Sequence, residues 1–301
     1  MILTFLMRRR SAIKVLGSTI DAAIRRKHTC FLWRVPDGKE PFLVGDFVRW
    51  PLLYKSPTWR PLGTVIGLDT DPDAHVGVAW WFDNLLKHPR EGAETQCYIS
   101  QFHRDLHTKL YCTKVDKPIV GWSLADHRAL LPPRHAMGQL VDVLFTMKRR
   151  VPETWRTSMV GRIWYWEQVM RVRRESRGWG VPLVVKTKYK NGDPFWMRYA
   201  GKRYWDHYMY PSTSLMLLQN AFTAHHFMSG AHVEARLMNV PVSNYRVPMG
   251  HISHLPGYKE VYEMTMNTSM SREEYGQHMW GGFDDTGTGE RVMDVVEERY
   301  G

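Results

Sequence analysis

LVGDFVRW at residues 43–50, PLGTVIGLD at 61–69 and HVGVAWWF at 75–82 are three short runs of alternating or continuous apolar residues. Val44, Phe47, Val48 and Trp50 mark the first, and a proline-bearing loop from Ser56 to Pro61 leads into the second. Asp69, Asp71, Pro72 and Asp73 cluster in a turn before the third, and a further short strand is expected at Gln96–Ile99. Short strands joined by polar turns at about ten-residue spacing predict a small barrel. The three aspartates have the donors for a divalent cation, but Pro72 and the lack of a following Glu favour a plain turn.

Gly45, Asp46, Val48, Gly63, Val65, Val76 and Val78 give the pattern G-D-x-V-x-W, then G-T-V-I-G-L-D, then a turn and V-G-V-A-W-W. This resembles the SH3-like barrel of the KOW type found in ribosomal proteins and transcription factors. The Gly-Lys-Asp-x-Gly loop of one ribosomal branch is replaced by Tyr54-Lys55-Ser56-Pro57-Thr58. The resemblance implies an RNA-associated structural protein whose alternating valines fill a barrel interior.

Working outward, Leu140, Val143, Leu144 and Met147 mark a helix beginning near Met137 and ended by Pro152. A second helix is expected from Thr157 to Arg177, with Val160, Ile163, Trp164 and Met170 on one side and Gly178 and Gly180 as its stop. Asn191-Gly192 reads as a hairpin turn between the basic, aromatic arms of 181–205. Leu215 to Met228 reads as one more apolar helix. Past Ser229 turn residues are frequent and no period is sustained until an amphipathic, acidic end at Val292–Tyr300, of a kind usually ordered by a neighbouring chain. The expected fold class is therefore α+β: a small SH3-like β-barrel followed by helices, a basic β-hairpin and extended irregular C-terminal segments. Its expected divisions are a basic arm (1–27), the barrel region (28–112), a helical region with the hairpin (113–228) and an acidic-ended tail (229–301).

Charge is segregated along the chain. Lys148, Arg149, Arg150, Arg156, Arg162, Arg171, Arg173, Arg174, Arg177, Lys186, Lys188, Lys190, Arg198, Lys202 and Arg203 face only Glu153, Glu167, Glu175 and Asp193, so fifteen cations less four acids give this window +11, the formal charge of the whole protein. Residues 1–27 carry +6 and 259–301 carry −6. Arginine-rich sequence interleaved with Trp164, Trp166 and Trp179 is the footprint of a surface that lies on nucleic-acid phosphates and stacks on unpaired bases, against the plainer reading of a solvated helix face. In the amino-terminal stretch Ile13, Leu16, Ile20 and Ile24 recur at helical spacing beside Arg8, Arg9, Arg10, Lys14, Arg25, Arg26 and Lys27. That is the pattern of a mitochondrial transit helix, or of a retained basic arm that binds RNA or a membrane surface.

Catalytic signatures are sparse. Cys97, His103, His107 and Cys112 have the donors for a tetrahedral zinc site, but the spacing fits no common finger and a core role is the plainer reading. His225-His226 stand apart from acidic ligands in sequence, Thr286-Gly287-Thr288-Gly289 lacks a dinucleotide-binding context, and no P-loop or nucleophile elbow occurs. Three cysteines without C-x-x-C point to a reducing or matrix-like compartment, and no apolar run reaches transmembrane length. The expectation is a non-enzymatic structural constituent of a mitochondrial ribosome in the matrix, without cofactor or small-molecule substrate. It would bind rRNA through the basic window and dock other proteins of a large assembly. The alternative is an accessory subunit of a respiratory-chain or ATP-synthase complex, with peripheral membrane contact.

Overall fold

The computed structural model describes residues 1–35, 47, 49–55, 60–69, 71–79, 81, 93–111, 117–133, 139–146, 158–187, 199–205, 210–227, 229–246, 256–282 and 286–301. In chain order these form β1 (Ile2–Met7), α1 (Ile13–Arg25), β2 (Thr29–Arg34), β3 (Leu53–Lys55), β4 (Thr64–Leu68), β5 (Val76–Val78), β6 (Thr95–Cys97), α2 (Gln101–Tyr111) and α3 (Ser123–Asp126). There follow β7 (Val141–Phe145), α4 (Met159–Gly178), β8 (Leu183–Thr187), β9 (Lys202–Trp205), α5 (Thr213–Leu218), β10 (Ala221–His226), α6 (Ala231–Leu237) and β11 (Val242–Asn244). The chain ends in α7 (Tyr258–Thr265), α8 (Arg272–Met279) and α9 (Thr288–Tyr300). Two compact units result, Met1–Leu130 with Tyr208–Tyr210 and His254–Gly301, and Leu131–His207 with Pro211–Ser253. They cut across the four segments expected from the sequence.

The first unit is built on a six-stranded sheet of order β3-β2-β1-β4-β5-β6 in which every pairing is parallel. Ile2–Met7 is its central strand. It is apolar at five of six positions and buried on both faces beyond Ile2, as a parallel sheet covered on both sides requires. The apolar stripe of α1 lies in the same core: Ile13, Leu16 and Ile20 are buried there, and Ile24 packs at its margin. The expected amino-terminal arm is thus the first βα unit of a Rossmann-like sheet.

The barrel is overturned. Of the residues that suggested it, Gly45, Asp46 and Val48 lie outside the described residues. Val65 belongs to β4, and Val76 and Val78 to β5, which pair in parallel with Ile66 opposite Val76. The reversal between them takes only Asp69–His75, which mimics the spacing of a hairpin. It is tightened by a positive φ at Asp69 and by Asp71 and Ala74 amides donating to the Leu68 and Asp71 carbonyls. Gly63 is needed for close approach: its φ is +64°, and a Cβ would stand 2.1 Å from the Ile2 carbonyl oxygen.

The second unit carries a five-stranded sheet, β11-β10-β7-β8-β9, again parallel throughout. Val141–Phe145 is its central strand, not the expected helix; a fully buried strand shows a continuous apolar run that helical spacing also fits. Leu215 to Met228 splits for the same reason into the end of α5 and the strand β10. No antiparallel basic hairpin joins β8 to β9, because Val184 is opposite Lys202 in a parallel register; Asn191-Gly192 lies outside the described residues. The long helix does form, and it ends at Gly178 with Gly180 at a positive φ.

The expected irregular tail is helical, and its last helix packs on α1 of its own chain. Gly287, Thr288 and Gly289 amides donate to the Asp126 carboxylate at 2.7, 2.9 and 2.8 Å, which caps α9 from α3. Gly289 also allows α9 to touch α1, since a Cβ there would lie 2.2 Å from the Ser18 carbonyl oxygen. Arg25 and Arg26 close the contact on Glu290, and Arg26 also reaches Asp294 and Glu297.

Candidate functional site

In open parallel sheets, ligands sit outside the carboxyl ends of the strands where the strand order reverses. In the first unit that point lies between β1 and β4. The turn after β1 is Arg8-Arg9-Arg10, leading through a short 3-10 turn into α1, and the turn after β4 is Asp69–Asp73. Arg8 spans the two: its Nε and Nη2 donate to Asp71 at 2.6 and 3.0 Å, and Nη2 also donates to Asp73. The hydrogen bond to Asp71 raises the guanidinium pKa further above its already high ordinary value. Asp71 in turn accepts the Asp73 amide at 3.1 Å. The aspartate cluster is therefore an anchor for an arginine, with Arg9 exposed and Arg10 half-buried beside it, ahead of the α1 amino terminus. Cationic side chains before a helix amino terminus favour a bound anion.

In the second unit the order reverses between β7 and β10. After β10 the chain turns through Ser229 and Gly230 into α6. The Ser229 amide donates to His226 Nδ1 at 3.2 Å, which fixes His226 as the neutral tautomer with its proton on Nε2. That nitrogen faces His232 Nδ1 at 3.2 Å, so His226 donates and His232 keeps its own proton on Nε2. Burial, then the charge of Arg236, pushes the His232 pKa down to about 4, which keeps the imidazole neutral. The Ser229 hydroxyl accepts the Ala231 amide at 3.3 Å and ties the turn to the helix. Behind this turn lies a buried polar layer. The Ser176 hydroxyl donates to Asp142 at 2.6 Å, with His225 Nε2 3.7 Å from the same carboxylate oxygen. Tyr245 donates to Glu175 at 3.3 Å, and its amide donates to the His226 carbonyl at 2.9 Å. The result is a strand end whose Ser229, Ala231 and His226 N–H groups are held in internal hydrogen bonds, with the His232 proton placed on Nε2.

The residues singled out for RNA contact fall, where described, on α4, β8, β9 and the turn after α4. Arg162, Arg171, Arg173, Arg174 and Arg177 are spread along α4, Arg171 being paired with Glu175 at 2.9 Å. Trp164 packs edge-on against Phe227 at 5.9 Å, while Trp166 and Trp179 are exposed. Lys186 is buried in β8, its ammonium 6.0 Å from the Phe145 ring, and Lys202 and Arg203 belong to β9. Lys148, Arg149, Arg150, Arg156, Lys188, Lys190 and Arg198 lie outside the described residues. Of the zinc candidates, Cys97 is buried and in no disulfide, and Cys112 lies outside the described residues. His103 and His107 are buried on α2, with the Tyr98 hydroxyl 2.8 Å from His107 Nδ1. No group of three metal-ligating side chains occurs among the described residues.

Sequence reasoning missed both strand ends. The signal was there: an apolar run followed by a polar turn and a helical period, as in ILTFLM-RRR before Ile13 and AFTAHHF before Ser229-Gly230. Reading the first as a targeting arm and the second as a helix hid it.

No family model matches the sequence, and a search of curated proteins returns no match. Solved structures do match in fold. A putative UDP-N-acetylglucosamine 2-epimerase from Listeria monocytogenes aligns with a TM-score of 0.59 and 11% identity, over 100% of this chain and 96% of that one. A UDP-GlcNAc 2-epimerase from Methanocaldococcus jannaschii, solved in complex with UDP-GlcNAc and UDP, aligns with a TM-score of 0.55 and 11% identity, over 99% of this chain and 100% of that one. The wall teichoic acid polymerase TagF aligns with a TM-score of 0.55 and 8% identity, over 99% of this chain and 88% of that one. At these identities the likeness defines the fold: two Rossmann-like units with all-parallel sheets, as in epimerases and GT-B glycosyltransferases. It corrects the expected KOW-type ribosomal protein. The non-enzymatic assembly role, the rRNA partner and the exclusion of a small-molecule substrate are corrected with it. The solved structures that align over the whole chain are enzymes by name, UDP-N-acetylglucosamine 2-epimerases and a wall teichoic acid polymerase.

Proposed function

We propose that this protein is an enzyme acting on a nucleoside-diphosphate sugar, by glycosyl transfer or by epimerisation. The observation that carries the reading is the pair of strand-order reversals. Each places polar side chains at the carboxyl ends of a central strand pair, in a fold shared from end to end with such enzymes. The Ser229–Ala231 turn is closed by its own hydrogen bonds and carries no carboxylate, and its donors for a diphosphate would be the Gly230 amide and the Nε2–H of neutral His232. The Arg8–Arg10 turn offers positive charge to an anionic substrate group, and Asp71 holds its first arginine in place. Neutral donors and fixed cations of this kind stabilise negative charge that builds on a departing diphosphate.

Calorimetry with UDP, CDP and UDP-GlcNAc, each against ATP as a control, tests the reading. Saturable binding of a nucleoside diphosphate or its sugar is expected, weakened at least ~10-fold by His232→Ala or Arg10→Ala. The unfolding midpoint of each variant serves as the control for lost structure. Absence of binding by the intact protein up to millimolar ligand overturns the proposal, as does unchanged affinity in both variants.

A further inference from the structure

Helix α4 is apolar on two sides. Its inward side is in use: Tyr165, Val169 and Val172 are buried in a core with Leu144, Val185 and Phe227. Its outward side presents Met159, Val160, Ile163 and Trp166 within the first two turns, and Met159 and Val160 are 77% and 72% exposed. A helix with apolar residues on both faces is ordinarily covered on both. Trp179 and Phe222, both exposed, form a separate edge-to-face pair 5.5 Å apart at the other end of the helix.

The charge of the helix completes the pattern. Arg162 stands beside the apolar turns, and Arg173, Arg174 and Arg177 occupy the following ones. None of these four has an ion-pair or hydrogen-bond partner among the described residues. Elsewhere Arg8, Arg25, Arg26 and Arg49 each sit on a carboxylate. Four unanswered arginines around exposed aliphatic and indole side chains call for a partner with hydrocarbon and phosphate together.

We propose that the outward face of α4 seats the protein on an anionic lipid bilayer. Met159, Val160, Ile163 and Trp166 enter the interface and the arginines lie on headgroup phosphates. RNA fits less well, since methionine, valine and isoleucine neither stack on bases nor bind phosphate. A second copy fits less well too, because a two-fold contact through this face would set the same unpaired arginines against one another. The inference is independent of which substrate the enzyme takes.

Co-sedimentation of the full chain with vesicles tests it, using phosphatidylcholine alone and phosphatidylcholine with about a third phosphatidylglycerol, near 0.1 M salt. Expected are at least ~10-fold tighter binding to the anionic vesicles, weakening with salt, and a blue shift of tryptophan emission that Trp166→Phe removes. Each Arg→Gln change at 162, 173, 174 or 177 should weaken binding about 5-fold. Ile163→Ser should weaken it as well while leaving the unfolding midpoint in place, because the side chain is exposed. Equal partition onto the two vesicle types, no partition, or full binding by the fourfold arginine variant overturns the proposal. So does loss of RNA binding or of self-association in these variants without any vesicle binding by the parent.

Discussion

Replacing Asp126 with alanine should loosen the last helix from the first unit. The Asp126 carboxylate is nearly buried and takes three N–H groups at 2.7–2.9 Å, from Gly287, Thr288 and Gly289. No side chain within the α9 segment caps it, so these donors have no local substitute. Loss of a single side-chain cap costs about 1 kcal/mol, and hydrogen bonds to a charged acceptor are worth about 1.5–3 kcal/mol each. The three bonds share one carboxylate and are not additive, so a total near ~3 kcal/mol is expected, including the favourable interaction of the anion with the helix amino terminus. For a unit of about 180 residues this lowers the thermal midpoint by about 6–12 °C. Circular dichroism melts and urea titrations measure it, and exchange of the Gly287–Gly289 amides should rise in the same variant. Asp126→Asn keeps one acceptor and should lose less. A midpoint within ~0.5 kcal/mol of the parent for Asp126→Ala, with amide protection unchanged, would refute the capping argument.

Gly289→Ala places a Cβ 2.2 Å from the Ser18 carbonyl oxygen, so α9 must shift; destabilisation of about 1–3 kcal/mol in urea unfolding is expected, and a neutral result would deny the close contact. Burial pushes the pKa values of His103, His107 and His127 down to about 3, about 4 and about 3, against an ordinary 6.5. Below pH 6.5 the unfolded chain binds protons that the native state refuses, so stability is full above that pH and falls toward pH 4 by about 1.4 kcal/mol per pH unit for each histidine. A urea midpoint that does not move between pH 7.5 and pH 4.5 would count against their burial. Deleting residues 1–27 removes the central strand and α1, and should leave no cooperative unfolding of the first unit; a folded truncation product by melting and proteolysis would contradict the topology.

What could be read from the sequence follows from how each element is solvated. Helix α4 was legible nearly to its ends because Gly178 and Gly180 stop it and polar residues punctuate its period. Val141–Phe145 and Ala221–His226 were not, because strands buried on both faces carry no alternation. The β4–β5 connection misled in a different way. Seven residues between strands normally mean a hairpin, and only the backbone at Asp69 and the Asp71 turn bring the chain back in parallel. At the candidate site, nothing in the linear sequence places Asp71 beside Arg8, so the triple arginine gave no sign of a strand-end turn. His226 and His232 had no visible partners because each is the other's.

The charge map, in contrast, held structural information that its first reading did not extract. The +6 of residues 1–27 and the −6 of 259–301 meet in one unit, where Arg25, Arg26 and His28 lie on Glu290, Asp294 and Glu297. Each pair is partly exposed and contributes little alone, and Arg26 acts mainly by binding three acids of one helix face at once. This joins the two ends of the chain across a helix contact that Gly289 has already drawn close. With those charges cancelled, the net charge left in the sequence is the +11 between Lys148 and Arg203. Arg162, Arg171, Arg173, Arg174 and Arg177 of this window stand on α4, whose outer side is also apolar. A basic, aromatic stretch is therefore weak evidence for RNA until the exposed neighbours of its arginines are known. Here they are Met159, Val160 and Ile163 together with Trp166, and the three aliphatic side chains are what the lipid proposal rests on.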